Sequence, residues 1–366
     1  MKIQENISLA PLTTFNVGGP ARYFVDVADE FDLRNALTFA KENTLPVLIL
    51  GGGSNVLISD EGWPGLVVHV ALRGLDAKLD GEAVHVTAAA GEPWDSVAKR
   101  ACDEGWIGIE ALSGIPGSVG GAVVQNAAAY GQALQDVVES VRAVEVASGE
   151  VREFTNADCA FRYRDSRFKT DEDGRWALVS VTLKLAASGP ASFGTREPPA
   201  SLARWFRERT TPATPADVRN AVLDIRESKG MVIMEGRERF ASVGSFFKNP
   251  HVTPAQVQKV EAAATKLDTD KAERLKPWSW PQQDGTVKLS AAFLIEYTPF
   301  TKGYVRGKVG ISPRQPLALI NLGGATAQDV LGLAQNVQEA VRKTFGVELE
   351  PEVKLVGFTN NPLEVR

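Results

Sequence analysis

Four consecutive apolar residues, Val47, Leu48, Ile49 and Leu50, follow Pro46 and run directly into Gly51, Gly52 and Gly53. A short apolar run between breakers reads as a buried strand. A second apolar run, Val56, Leu57 and Ile58, starts after Ser54 and Asn55 and reads as another strand. Upstream, Tyr23, Phe24, Val25 and Val27 form a strand pattern, and Asp29 is placed to cap a helix with Leu33, Leu37 and Ala40 on one face. The first 74 residues therefore read as a small β-α-β unit.

A second segment opens near Leu75. Val84, Val86 and Ala88 alternate as in a half-buried strand, and residues 94–104 carry a helical pattern that Gly105 is placed to end. Residues 108–121 follow, with five glycines in fourteen positions, and read as a long loop whose Ile109, Leu112, Ile115 and Val119 want burial. Residues 141–146, the turn at Ser148 and Gly149, Val151 with Phe154, and the alternation of Val179, Val181, Leu183 and Leu185 predict further strands. Residues 161–169 alternate charges with aromatics, which suits either a solvated edge strand or an anion-binding strand.

Residues 186–215 are rich in Pro, Ala and Arg and read as a loop or linker. Thr214, Pro215 and Asp217 then form a helix start, with Val218, Val222 and Ile225 on one face and Arg226 and Lys229 at the end. Thr253 and Pro254 start a second helix, and residues 326–345 make a third, stopped by Gly346. Residues 347–356 alternate acids with apolar residues around Pro351 and read as a strand, with Glu348 and Glu350 either solvent-facing or functional. The expected domains are residues 1–74, 75–213 and 214–357, with 358–366 as a tail.

Composition narrows the class only a little. The chain has 366 residues, 44% apolar and 23% charged, with a net charge of −5, so nothing draws it to nucleic acid or an anionic membrane. No run reaches the roughly 18 apolar residues of a membrane span, and the polar start lacks an apolar signal core. Two cysteines in unrelated contexts, Cys102 and Cys159, suit reduced thiols in the cytoplasm. The three histidines, His69, His85 and His251, are scattered without metal-ligand spacing and read as structural.

The chemistry concentrates in the glycines. Gly51, Gly52 and Gly53 remove every Cβ from a turn, and Ser54 and Asn55 add short polar groups, so backbone amides can approach a phosphate closely. The helix and third glycine of a dinucleotide fingerprint do not follow. A tight hairpin between the two apolar runs explains the same residues equally well. Two glycine-rich stretches from successive segments favour one large phosphate-bearing ligand over either stretch read alone.

Six motifs in order carry a resemblance: residues 51–55; residues 115–120, containing Ile115, Pro116, Gly117, Ser118 and Gly120; Gln125 with Asn126; residues 163–169, starting Tyr163 and Arg164; residues 244–250, containing Ser245 and Asn249; and residues 349–353, containing Glu352. Together they resemble the UDP-N-acetylenolpyruvoylglucosamine reductase (MurB) family. The resemblance implies an α+β protein with a two-part FAD-binding unit of the PCMH/VAO type and a C-terminal α+β substrate-binding domain. FAD would lie on Gly51, Gly52, Gly53, Ser54, Asn55, Ile115, Pro116, Gly117, Ser118, Gly120, Gly121 and Asn126. Ser54 stands where related proteins carry a flavin-linking histidine, so the FAD is expected to be non-covalent.

The implied reaction moves hydride from NADPH through the flavin to UDP-N-acetylglucosamine enolpyruvate. The resemblance assigns Arg164 to the substrate carboxylate, Ser245 to proton donation and Glu352 to the developing charge. It matches Tyr163, Arg226, Lys229, Asn249 and Gln315 to substrate contacts. The tyrosine that covers the substrate in many members aligns with Phe193. A monomer is expected, with neither nucleic acid nor membrane as partner. A flavin-dependent sugar or lactone oxidase, or a flavin-free nucleotide-sugar-binding protein, are the other readings; the joint presence of Arg164, Ser245 and Glu352 argues against both.

Overall fold

The structure is a computed structural model, which describes residues 1–191, 200–208, 211, 213–233, 240–274 and 277–364. The chain divides into two compact units: residues 1–7, 20–53 and 63–237 form the first, and residues 8–19, 54–62 and 238–366 the second. Phe193 lies outside the described residues.

Besides a two-stranded ribbon, Ala128–Ala129 with Gln132–Ala133, the first unit holds two main sheets. One has the order Gln4–Ser8, Pro20–Val27, Trp63–Val70, Val47–Leu50. Trp63–Val70 is its hub, pairing in parallel with Pro20–Val27 on one side and Val47–Leu50 on the other. Its apolar run Leu66, Val67 and Val68 is fully buried, as expected for a strand covered on both faces. The crossover helix Glu30–Glu42 starts at Asp29, whose carboxylate accepts from Asp32 N at 2.7 Å, and it buries Leu33, Ala36, Leu37 and Ala40. The other sheet is five-stranded, with the order Val151–Thr155, Val138–Glu145, Trp176–Ala186, Ala83–Ala89, Leu75–Asp80. Both sheets contribute to one core, from Val25 and Leu66 in the first to Val86, Val141 and Val181 in the second. Phe154 is fully buried there, edge-on to Phe168 and Trp176 at ring-centroid distances of 5.1 and 4.9 Å.

The second unit is built around helix Ala327–Phe345, which carries a Thr326–Asp329 capping box at its start and Gly346, at φ 65°, at its end. Helix Pro254–Leu267 begins with the same device, from Thr253 and Gln256. Trp278 and Phe293 stack at 4.4 Å, and Phe246, Phe247, Leu294, Leu331 and Val337 complete the core.

Several sequence expectations change in three dimensions. Val47–Leu50 and Val56–Ile58 are not the arms of a hairpin: the first pairs with Trp63–Val70, and the second pairs in parallel with Lys354–Val356 in the second unit. Phe15, Val17 and Leu57 bury with that unit's core, so residues 8–19 and 54–62 belong there rather than with the first 74 residues. Helix Pro215–Ser228 belongs to the first unit, because Val218 and Val222 bury with Ala111 and Leu202. Part of the expected linker is helical, at Ala200–Arg207, and its buried Leu202 explains why.

Residues 161–169 form no strand. Arg162 and Asp165 exchange backbone hydrogen bonds of 2.9 and 3.1 Å to make a tight turn, and a π-helical turn, Arg167–Asp171, follows. Of residues 347–356 only Lys354–Val356 is a strand, because Pro351 cannot donate to a ladder; Glu348 and Glu350 are solvent-exposed.

Replacing Phe154 with Ala removes the ring that joins Phe168 and Trp176 and leaves a cavity. The unfolding free energy should fall by about 3–5 kcal/mol, read by urea titration.

Candidate active site

The glycine-rich stretches of the first unit meet. A Cβ on Gly51 would stand 2.5 Å from Ser118 Oγ, and one on Gly52 would stand 2.7 Å from Gly117 Cα and 3.0 Å from Ser118 N. Backbone cannot yield to that contact, so glycine at 52 is a steric requirement. Gly53 and Gly117 have φ of 60° and 104°, conformations that side chains rarely adopt. The result is a Cβ-free strip of polar backbone at the carboxyl end of a parallel strand. That fits a diphosphate, which needs close approach and oriented amides.

Within residues 108–121 the expected loop is largely structured. Glu110–Leu112 forms a 3₁₀ turn, and Ser118 caps the short helix Val119–Val124 by accepting from Gly121 N at 3.3 Å. Ile109, Leu112 and Val119 are fully buried, while Ile115 is only partly so. Gly120 donates its amide to Ala90 O at 2.8 Å, and a Cβ there would meet Ala90 at 3.1 Å. Gly120 and Gly121 therefore spend their amides inside the protein, and Gly120 serves helix packing against the sheet. Asn126, at φ 48°, donates to Gln135 Oε1 and Arg162 O at 2.7 and 2.8 Å, and its Oδ1 accepts from Gln135 N. Its side chain is a buried brace for the turn that carries Arg164.

That turn is held from several directions. Arg164 sits at φ 55° and packs 5.9 Å from the Tyr163 ring. Lys169 Nζ donates to Arg164 O at 3.1 Å and to Gln125 Oε1 at 2.6 Å. Such a conformation persists only where the surroundings over-determine it, as they do here. Arg162 spans Asp165 and Asp171 at 2.9 and 2.8 Å, so its charge is used within the turn.

Arg226, Lys229 and Tyr130 gather in the same unit. Arg226 is buried, donating to Gly114 O and Met231 O at 3.2 and 3.1 Å. Burial pulls its pKa down, opposed by the charge of Tyr130 and Asp95 and a hydrogen bond to Tyr130. Burial in turn raises the Tyr130 phenol, against the pull of Arg226. Lys229 keeps an exposed surface, yet its ammonium lies 5.7 Å over the Tyr130 ring. Protein crowding there, and then the charge of Arg226, draw its pKa below the ordinary lysine value. Tyr130 has φ 51° and was not among the sequence candidates; its place in the Ala129–Gly131 turn was the available signal.

The second unit carries Ser54, Asn55, Ser245, Asn249, Gln315 and Glu352. Residues 246–248 run antiparallel to 350–352: Glu352 N donates to Phe246 O at 2.8 Å, Lys248 N donates to Glu350 O at 2.9 Å, and Phe247 stands opposite Pro351. This puts Ser245, following Gly244 at φ 76°, at the end of the segment that pairs with Glu352. Asn55 Nδ2 donates to Glu352 O at 3.3 Å, and Asn55 O accepts from Lys354 N at 3.0 Å. Phe246 N donates to Leu317 O at 2.8 Å, two residues past Gln315, whose buried Nε2 has no hydrogen-bond partner among the described residues. Asn249 Oδ1 accepts from Ala291 N at 2.9 Å.

The histidines and cysteines have surroundings of their own. His69 and His85 pair with Asp26 and Glu139 at 2.6 Å, and His251 Nδ1 lies 3.4 Å from Thr286 Oγ1. Both cysteines are buried, and burial pushes their thiols up to about 12, so both stay protonated. Among the described residues no group of His, Cys, Asp and Glu could hold a metal ion, and no helix is long and apolar enough to cross a membrane.

Fold and cradle define a flavoprotein of mixed α and β structure. Residues 21–155 match the FAD binding domain family, and residues 237–356 match the family of the UDP-N-acetylenolpyruvoylglucosamine reductase C-terminal domain. The UDP-N-acetylenolpyruvoylglucosamine reductases of Thermobifida fusca and Pseudomonas aeruginosa are 39% and 38% identical to this chain, over 97% of it and over 98% and 99% of their own lengths. The crystal structure of the Thermus caldophilus enzyme (MurB) superposes with a TM-score of 0.64 at 25% identity, covering 97% of this chain and 99% of that one. The chain belongs to the UDP-N-acetylenolpyruvoylglucosamine reductase family, as its ordered motifs lead one to expect, and its cofactor is FAD.

Gly52→Ala should weaken FAD binding by about tenfold to a hundredfold, since forcing the two strips apart costs about 1–3 kcal/mol. Quenching of flavin fluorescence on titrating the apoprotein reads this directly, and unchanged affinity would remove the strip from the cofactor site.

Proposed function

We propose that this chain reduces UDP-N-acetylglucosamine enolpyruvate to UDP-N-acetylmuramate with NADPH, as a monomer in the cytoplasm, in the making of peptidoglycan precursors. Membership of the reductase family supports the reaction. The observation that carries the residue roles is the antiparallel pairing of residues 246–248 with 350–352, which makes neighbours of the segments bearing Ser245 and Glu352. An oxidase or a flavin-free binding protein has no use for that pair.

When bound, FAD supplies hydride transfer from NADPH to the enolpyruvyl double bond. The chain's residues do the rest. Gly51, Gly52, Gly53 and Gly117 let the backbone approach the cofactor's diphosphate, with Ser54, Asn55, Ile115, Pro116 and Ser118 completing that site. Arg164 forks onto the substrate carboxylate, and its locked turn means that little ordering is left to do on binding. As hydride arrives at the vinyl carbon, negative charge develops on the adjacent carbon and spreads into that carboxylate. Arg164 stabilises the charge, and Glu352 acts on it by orienting a water that donates to it. Ser245 gives its hydroxyl proton to the adjacent carbon and recovers one from water, so the double bond gains one hydride and one proton. Tyr163, Arg226, Lys229, Asn249 and Gln315 hold the sugar and diphosphate of the substrate. The buried, protonated thiols suit a reducing cytoplasm.

Anaerobic stopped-flow absorbance separates the two halves of the reaction. Ser245→Ala should leave bleaching by NADPH nearly intact and slow reoxidation by the enolpyruvyl substrate by roughly 10²–10⁴; an equal loss in both halves would take proton donation away from Ser245. Arg164→Lys should slow the same second half, because one ammonium does not reproduce the fork. Wild-type reoxidation in that variant would remove Arg164 from the chemistry.

A further inference from the structure

We propose that Asp95 and Arg219, which stand outside the site described above, are positioning residues that clamp Gly114 and so set where the FAD-binding residues 115–118 lie. This rests on the reading that those residues line the cofactor.

Gly114 is held through both of its peptide groups. Its N–H donates to Asp95 Oδ1 at 2.6 Å, and its carbonyl accepts from Arg226 Nε at 3.2 Å. Asp95 is in turn gripped by Arg219, Nη1 to Oδ1 at 2.7 Å and Nη2 to Oδ2 at 2.9 Å, a two-pronged pair. Arg219 and Arg226 are seven residues, two turns, apart on one face of helix Pro215–Ser228. That helix therefore reaches Gly114 from both sides, and Leu223 fills the space between. A Cβ on Gly114 would lie 2.8 Å from Leu223 Cδ2, and its φ of 71° suits glycine.

The opposite end of the loop is pinned by the same neighbourhood. Trp94 N, one residue before Asp95, donates to Gly117 O at 2.9 Å. Gly117 is the residue against which Gly52 packs. A shift at Gly114 therefore carries straight into the cradle.

The pair's cost argues for such a role. The Arg219 side chain is 9% exposed and that of Asp95 is 31% exposed. Well-packed apolar residues often stabilise a fold as well as a buried ion pair does, so stability alone does not call for charges here. What apolar residues cannot do is accept the Gly114 amide. Burial alone would raise the Asp95 carboxyl, but the Arg219 and Gly114 hydrogen bonds and the charges of Arg219 and Arg226 hold it below its ordinary range, where it accepts best.

The test measures FAD affinity of the apoprotein by fluorescence quenching, beside its urea stability, for Arg219→Met, Arg219→Lys and the double variant Asp95→Leu/Arg219→Met. Arg219→Met should lose both stability and affinity, because it leaves Asp95 with a partly buried, uncompensated charge. The double variant should regain most of the stability while its FAD Kd stays about tenfold or more above wild type, the amide of Gly114 having lost its acceptor. Arg219→Lys, the mildest change, should fold and raise Kd by a few-fold. If Kd in the double variant returns with stability, or if Kd never moves while Gly52→Ala still weakens binding, the pair is structural only and the inference is wrong. If Gly52→Ala also leaves Kd unchanged, the cofactor-site reading fails and takes the inference with it.

Discussion

Everything in the first unit depends on how closely Gly52 approaches Gly117. With 2.7 Å between a Cβ at position 52 and Gly117 Cα, even alanine would push the two glycine-rich strips apart. One strip ends strand Val47–Leu50 and the other precedes helix Val119–Val124, so each is anchored in a different layer. Their contact brings bare backbone from the two layers together. The core beneath, shared by both sheets, makes that contact reproducible, because close-packed interiors do not deform continuously.

Around this strip the protein uses polar and charged side chains as braces on backbone. Asn126 and Lys169 hold the turn bearing Arg164, and Asp95 with Arg219 and Arg226 hold Gly114. Arg164, Asn126 and Tyr130 all keep left-handed backbone. Conformations of that kind persist only where neighbours over-determine them. Among the described residues of this unit, Asn6, Thr44 and Ala160 share that conformation. In the second unit the corresponding device is plain backbone pairing, residues 246–248 against 350–352, which needs no charge and gives Ser245 and Glu352 a common frame.

Helix starts were legible from the chain because capping is local chemistry: Asp29, Thr214, Thr253 and Thr326 each accept from the backbone three residues on. Alternating strands such as Ala83–Ala89 and Trp176–Ala186 were legible for the same reason, since one face of each is buried by a period of two. Residues 161–169 misled because their charges and aromatics alternate along the chain while their burial does not: Arg162 and Tyr163 are both exposed in a turn closed by the Arg162–Asp165 hydrogen bonds. Asp95 and Arg219 gave no signal, because an ion pair between residues 124 positions apart has no local signature.

By itself, then, the sequence determined the elements, their caps, the glycines that bare the backbone, and the ordered motifs that mark the reductase family. Tertiary structure decided the partners. It sent Val56–Ile58 to Lys354–Val356 instead of back onto Val47–Leu50, and it took helix Pro215–Ser228 into the first unit. It also gave Asn126, Gly120 and Gly121 internal hydrogen bonds that no local pattern announces. The physical reason is one of range. Propensity, capping and glycine's conformational freedom act within about four residues, whereas strand pairing, buried ion pairs and the closeness of two loops are settled by which distant surfaces bury each other.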